Sequence, residues 1–297
     1  MLPNFLIIGA ARAGTTVLYR LVGQHPDVFI TDPKELRYFA IDGAPSFRGP
    51  GDDKLNKNWV TTWDDYVGHF DSVNGETAVG EASPFYLCSD DAPQLIHARL
   101  PDAKLILVLR DPTTRAYSSF MYLRRSGRET VDDFRAALDA EDERLKDNWE
   151  YLWRYRTLGL YSEQVKRYLD LFPRENIWIG LFDDLEETPM DFTQAVFRFL
   201  GVDDSFVPVL RGRPNASGEP RSLSLQRVVD RQNPIRSLAR SVVPKKYRKP
   251  IRLALTKNNL KRSDMPSEIE AELRDFYRPD VERLEQLIGM DLSAWKG

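Results

Sequence analysis

A chain of 297 residues, 42% hydrophobic and 29% charged, carries enough apolar material for one large α/β core and has the composition of neither a disordered nor a fibrous protein. No run approaches 18 uninterrupted apolar residues and no basic region, apolar stretch and cleavage site open the sequence, so neither a membrane span nor a secretory leader is expected, and the cytosol is the expected compartment. The single Cys88 excludes an internal disulfide, and His25, His69 and His97 lie too far apart in sequence to suggest a metal cluster, so no metal is expected.

The first element is an apolar strand over 5–9, followed directly by Gly9-Ala10-Ala11-Arg12-Ala13-Gly14-Thr15-Thr16 and a helix over 14–24. A Walker A loop has the same glycine spacing but needs a Lys where this chain has Thr15. Its cation has moved inside the loop, to Arg12. Strand, glycine turn and helix start still aim free N–H groups and a positive dipole end at one spot, which favours an anion. The loop is therefore read as a phosphate site without the usual ATP and Mg²⁺ apparatus.

An irregular stretch is expected through about residue 75, with the Pro/Gly/Asp-rich Asp42 to Asp53 running over the surface and shaping an acceptor cleft. Then follow a strand over 78–82, a helix over 90–100, a strand over 104–109 and a helix over 112–126. Asp111 before Pro112 marks the start of that last helix, because Asp accepts from an unpaired N–H and Pro at the first position loses no bond. Arg110 thus stands at the carboxyl end of a strand, where open α/β sheets bind ligands, and Ser118 lies two turns into the next helix. Two strand-end anion sites suit a ligand with two separated phosphates. A helical run over about 130–170, a strand over 177–181 and a helix over 188–200 complete a parallel sheet covered on both faces. Arg211 to Arg221 reads as a loop. Leu223 to Ile288 is helical in pattern, broken at Pro234, Pro244, Pro250, Pro266 and Pro279.

With these segments in order, the chain resembles the sulfotransferases that use 3′-phosphoadenosine 5′-phosphosulfate (PAPS). Gly9 to Thr16 resembles the family's 5′-phosphosulfate loop, and Arg110 to Ser118 its 3′-phosphate motif, R-D-P-x-x-R-x-x-S. Lys34-Glu35-Leu36-Arg37-Tyr38-Phe39 and Glu81-Ala82-Ser83-Pro84-Phe85-Tyr86 are similar to segments of the branch that includes heparan sulfate sulfotransferases and bacterial relatives. Gly159-Leu160-Tyr161 matches the later half. The resemblance covers most of residues 4–202 and implies a P-loop-like α/β fold with a helical C-terminal extension. It also implies a single domain, with a nucleotide-binding core over 1–205, a loop or lid over 206–222 and a helical part over 223–297.

The same resemblance implies roles. Arg12, Ala13, Gly14, Thr15 and Thr16 would hold the 5′-phosphosulfate, Arg110 and Ser118 the 3′-phosphate, and Arg221 in the lid would contact the donor. Glu35 would be the base for an acceptor hydroxyl or amine and Arg12 would stabilise the leaving phosphate. The bland reading of Glu35 is a carboxylate paired with Lys34 or Arg37, and His69 is the rival base. Two departures stand out: Arg12 where the family commonly has Lys, and Ala82 where the carbohydrate enzymes have Lys. The first makes residue 12 a fixed charge and not a proton donor, and the second weakens the case for a glycan acceptor, leaving small molecules and lipids equally open. Other readings are a small-molecule kinase, to which Thr15 is the objection, and a non-catalytic anion-binding or membrane-surface protein. The last draws on residues 209–262, which hold 15 Lys/Arg against Glu219 and Asp230 in a chain of net charge −3. That stretch suits a polyanionic nucleotide, an acidic acceptor or a peripheral membrane contact; nucleic acid is not expected, since no binding module for it accompanies the charge.

Overall fold

The computed structural model describes residues 1–210, 219–220, 260–261 and 264–297. Arg221, the expected lid over Arg211 to Arg221 apart from residues 219–220, and nearly all of the basic stretch lie outside the described residues.

Strands β1 (Phe5–Gly9), β2 (Val28–Ile30), β3 (Ala78–Ala82), β4 (Lys104–Leu109) and β5 (Ile177–Leu181) form one parallel sheet in the order β2-β3-β1-β4-β5. Successive strand side chains point to opposite faces, and Phe5, Leu6, Ile7 and Ile8 are all fully buried. Both faces of the sheet are therefore covered, as short all-apolar strands require. Helices α1 (Thr15–Val22), α2 (Asp52–Lys57), α3 (Trp63–Gly68), α4 (Ala92–Arg99), α5 (Pro112–Arg125), α6 (Phe134–Asp139), α7 (Glu141–Lys146), α8 (Tyr161–Leu169), α9 (Phe182–Glu187), α10 (Pro189–Leu200) and α11 (Ser267–Ile288) supply that cover. Helix α1 packs with α10, while α11 packs along α8 and α5.

Four strands, β1, β3, β4 and β5, fall where the sequence places them. The stretch expected to be irregular through about residue 75 instead contains β2, α2 and α3. Three residues of strand and six-residue helices are too short to show a period. Helix α3 does carry a local signal, since Thr62 accepts from the Asp65 N–H at 3.2 Å. The surface excursion is pinned from below: buried Asp52 accepts from the N–H groups of Gly49 (2.7 Å) and Glu150 (3.1 Å) and pairs with Arg128. Arg128 also meets Glu150 at 2.8 Å, so one guanidinium serves two buried carboxylates.

The helical run over 130–170 is divided into α6, α7, two 3₁₀ turns and α8, with Asn148 in the left-handed region at φ 57°. The break expected at Pro279 does not occur, because α11 continues through it from Ser267 to Ile288. Its buried stripe of Ile269, Leu273, Val281, Leu284 and Ile288 explains why. Five such side chains, at about 1.5–3 kcal/mol each, outweigh the roughly 3 kcal/mol that an interior proline costs a helix.

Candidate functional site

Chain order reverses beside β1: the chain passes from β1 through β2 and β3 on one side, then crosses to β4 on the other. Ligands of open α/β sheets bind at the carboxyl ends of the strands at such a switch point, and the two expected anion sites follow β1 and β4.

The loop after β1 is shaped by close approach. A Cβ on Gly9 would stand 2.5 Å from the Leu87 Cβ, and Gly14, at φ +84°, would drive one to 2.9 Å from Phe182 and Leu185. Only glycine fits either position. Arg12 also adopts a left-handed φ of 72°, at a cost of about 1–2 kcal/mol for a side-chain-bearing residue. Gly14 caps α1 without a side-chain acceptor, so the amides of Thr15 and Thr16 open the helix with no intrahelical partner. The Ala13 N–H is used differently from the expectation, donating inside the loop to the Ala10 carbonyl at 3.2 Å.

Three of the expected residues are brought together here. The Arg12 Nη2 donates to the Ser118 Oγ at 3.1 Å, and Arg110 donates from Nη1 to the Arg12 carbonyl at 3.3 Å and from Nε to Thr114 Oγ1 at 3.1 Å. Aromatic faces hold both cations, with Tyr122 4.6 Å from the Arg12 guanidinium carbon and Phe182 4.5 Å from that of Arg110. Neither arginine forms an ion pair with a carboxylate among the described residues. Burial pulls the Arg12 guanidinium down to about 10, and the nearby cations Arg125, Arg110 and Arg115 add to that; Arg110 is lowered as well, chiefly by burial. Both remain charged at neutral pH. The Arg12 Nε is buried with no hydrogen-bond partner, a donor left over for an incoming anion. Asp111 caps α5 as expected, accepting from the Thr113 N–H at 2.8 Å. Arg115 is structural: fully buried, it donates to the Tyr155 carbonyl.

Glu35 lies on the segment between β2 and the 3₁₀ turn Tyr38–Ala40, and its contacts are with Lys34 (3.0 Å) and Arg37 (2.8 Å), not with the phosphate loop. Its side chain is 23% exposed. Burial pushes this carboxyl up, but the charges and hydrogen bonds of Lys34 and Arg37 prevail and hold it below the ordinary carboxylate range. Glu35 is thus ionised at neutral pH and paired with both neighbours named in the bland reading. Deeper in, Glu81 is fully buried and its carboxyl is raised to about 7 by that burial, against hydrogen bonds from Tyr86 and Ser83. His69 is the C-cap residue of α3. Cys88 donates to the Phe85 carbonyl at 3.2 Å, and burial lifts its thiol to about 12, which makes it an inert side chain. Among the described residues no three His, Cys, Asp or Glu side chains are grouped to hold a metal ion.

Several participants were missed in the sequence. Tyr122 was within reach, since it stands one helical turn after Ser118 on the same face of α5. Phe182 meets Arg110 because β4 and β5 pair with Leu109 opposite Leu181, which sets the two following residues side by side. That register is not visible in either segment alone. Arg37, Ser83 and Glu81 lie in segments already singled out, but their mutual contacts come from the fold.

A family model described as the sulfotransferase family matches residues 3–205. Among curated relatives, heparan sulfate glucosamine 3-O-sulfotransferase 6 of Homo sapiens is 25% identical across 98% of this chain and 73% of its own. Bifunctional heparan sulfate N-deacetylase/N-sulfotransferase 3 of Mus musculus is 28% identical across 69% of this chain, which spans only 23% of that protein's length. Among solved structures, a sulfotransferase from Alicyclobacillus acidocaldarius superposes with a TM-score of 0.80 at 38% identity, covering 100% of both chains.

Proposed function

This chain belongs to the sulfotransferase family, and we propose that it moves the sulfuryl group of PAPS to a hydroxyl or amine acceptor. The observation that carries this reading is the bond between Arg12 and Ser118, which brings the loop after β1 against helix α5, the two segments that the resemblance assigns to the 5′- and 3′-phosphates. A donor bearing separate 3′ and 5′ phosphates fits that layout better than a linear triphosphate. Thr15 in place of the Walker lysine weighs against the kinase alternative.

In this reading, Arg110 and Ser118 hold the 3′-phosphate and set the register of the donor. Glu35 takes the proton as the acceptor oxygen or nitrogen bonds to sulfur and the bond from sulfur to the 5′-phosphate oxygen breaks. Arg12 and the amides of Gly14, Thr15 and Thr16 neutralise the charge that develops on that phosphate. Transfer of this kind passes through a loose, in-line transition state, so positioning and charge stabilisation supply most of the rate. The sulfuryl group carries one negative charge, which makes a divalent clamp dispensable, and Arg12 acts throughout as a fixed cation.

The two curated relatives named above are heparan sulfate enzymes, which supports a glycan acceptor; Ala82, where the resemblance gives the carbohydrate enzymes a Lys, weighs against one. No helix among the described residues is long and apolar enough to cross a membrane. A cytosolic location and a peripheral membrane contact through residues 209–262 belong to the same reading.

Thermal unfolding with PAPS or with ATP and Mg²⁺ tests the donor. A ligand that binds only the native state adds RT ln(1 + [L]/Kd) of stability, so PAPS is expected to raise the midpoint and ATP with Mg²⁺ to leave it nearly unmoved. The opposite pattern refutes the assignment. Radiolabelled PAPS with a panel of sugars, lipids, phenols and peptides then identifies the acceptor.

A further inference from the structure

Arg37 is a long side chain on a left-handed backbone, at φ 63°, a conformation that needs support from its surroundings. The support comes from the residue that follows β3. The Arg37 N–H donates to the Ser83 Oγ at 2.9 Å, and the Ser83 hydroxyl donates in turn to Glu81 Oε2 at 2.7 Å. Ser83 and Glu81 are both fully buried. The base of this chain is rigid, since β3 pairs with β1 through Ala82 opposite Ile7 and the Ser83 N–H donates to the Ile7 carbonyl at 3.1 Å. From the fixed backbone the Arg37 guanidinium reaches Glu35 Oε2 at 2.8 Å, with the rings of Trp59 and Phe85 5.9 and 6.0 Å from its carbon.

We propose that Ser83, anchored on the buried Glu81, is a positioning residue for Glu35: its hydroxyl holds the left-handed turn at Arg37 and thereby aims the Arg37 guanidinium at the Glu35 carboxylate. The proposal deepens the reading of Glu35 as the base and rests on it for its functional meaning. Direction along the chain is consistent, because N–H gives to hydroxyl and hydroxyl gives to carboxylate, so each group uses the one role that the next leaves open. Without the hydroxyl, the Arg37 N–H loses its acceptor and the strained backbone loses its restraint. The guanidinium then leaves the carboxylate, while Lys34 stays bonded to Glu35 from the neighbouring position. The charged groups that bear on Glu35 are Lys34 and Arg37 from its own segment and Glu81 from β3.

The test reads the Glu35 carboxyl directly and needs no acceptor. Full-length protein labelled with ¹³C at the glutamate carboxyls is titrated by NMR, the Glu35 signal being the one missing in Glu35→Gln. Wild type is expected to titrate below the ordinary carboxylate range. Ser83→Ala should shift the Glu35 midpoint upward as far as Arg37→Ala does, the double variant should go no further, and Ser83→Thr, which keeps the hydroxyl, should match wild type. A role that runs through Arg37 requires that non-additivity. The proposal is overturned if Ser83→Ala titrates with wild type, if the two single shifts add in the double variant, or if Arg37→Ala leaves Glu35 unmoved. Thermal midpoints accompany each variant. Should Ser83→Ala not fold, Ser83→Cys takes its place, being of similar size but a weak hydrogen-bonding group. Turnover of Glu35→Gln is measured separately: normal turnover removes the base from the mechanism yet leaves the titration result standing.

Discussion

The Arg12 guanidinium and the Ser118 hydroxyl, 106 positions apart in the chain, meet at 3.1 Å. Arg12 follows β1 and Ser118 lies on the second turn of α5 after β4, and the adjacency of those two strands brings the pair together. Arg110 closes the group by donating to the Arg12 carbonyl. The loop after β1 and the start of α5, which we propose as the 5′- and 3′-phosphate sites, are therefore joined directly by hydrogen bonds.

Arg110→Ala should weaken binding of a 3′-phosphorylated nucleotide by about 1.5–3 kcal/mol, the worth of a hydrogen bond to a charged group. Adenosine 5′-phosphate, lacking the 3′ group, should bind this variant nearly as well as wild type. Ser118→Ala should act more broadly, because it also releases Arg12. Calorimetric titration with both nucleotides decides: if Arg110→Ala discriminates them as sharply as wild type does, the 3′-phosphate does not sit there.

Turnover should survive exhaustive chelation. In the proposed reading Arg12, charged at neutral pH although pulled down to about 10, and the helix-start amides supply the positive charge that Mg²⁺ provides in phosphoryl-transfer enzymes. Loss of transfer in EDTA, with recovery on added Mg²⁺, would return the protein to a kinase-like chemistry.

Glu81 should make stability depend on pH. Its carboxyl, raised by burial to about 7, holds a proton more tightly folded than unfolded, where the reference is roughly 4.3. Its stabilising contribution is therefore complete below about pH 4 and is lost as pH climbs through the folded value near 7. Glu81→Gln cannot ionise, so its stability should not show that fall; the gap between the two proteins should change by roughly 3 kcal/mol from pH 4 to 8. Denaturant melts across this range test it, and parallel curves for the two proteins would mean that Glu81 titrates normally.

Much of this architecture could be read from residues in a row, and the reasons are local. Strands β1, β4 and β5 are short, largely apolar runs, the Asp111-Pro112 start of α5 carries its own cap, and Gly9 and Gly14 announce a tight loop. What stayed hidden depends on distance in sequence. Phe182 comes to Arg110 only through the β4 and β5 register, and Ser83 comes to Arg37 only because β3 ends beside the Glu35 segment. The unbroken α11 is a case of packing overriding a local rule, since nothing near Pro279 reveals the buried stripe that holds the helix through it.

Glu35→Gln separates the two lives of that residue. If Glu35 takes the acceptor's proton, the amide keeps the shape, removes the base, and should lower kcat by roughly 10²–10⁴ while donor affinity stays near wild type. Its carboxyl lies below the ordinary range, with Lys34 and Arg37 overcoming the opposing effect of burial. The acid limb of the rate profile should therefore fall at correspondingly low pH, with activity gained as pH rises through the Glu35 value and full at neutrality. A purely ion-pairing Glu35 predicts something else: the pair is partly exposed and worth about 0–1 kcal/mol, so the variant would lose a little stability and keep its turnover. Measuring kcat and nucleotide affinity on the acceptor identified with radiolabelled donor distinguishes them. More than half of wild-type kcat in Glu35→Gln would pass the base to His69 or to an acceptor that ionises by itself.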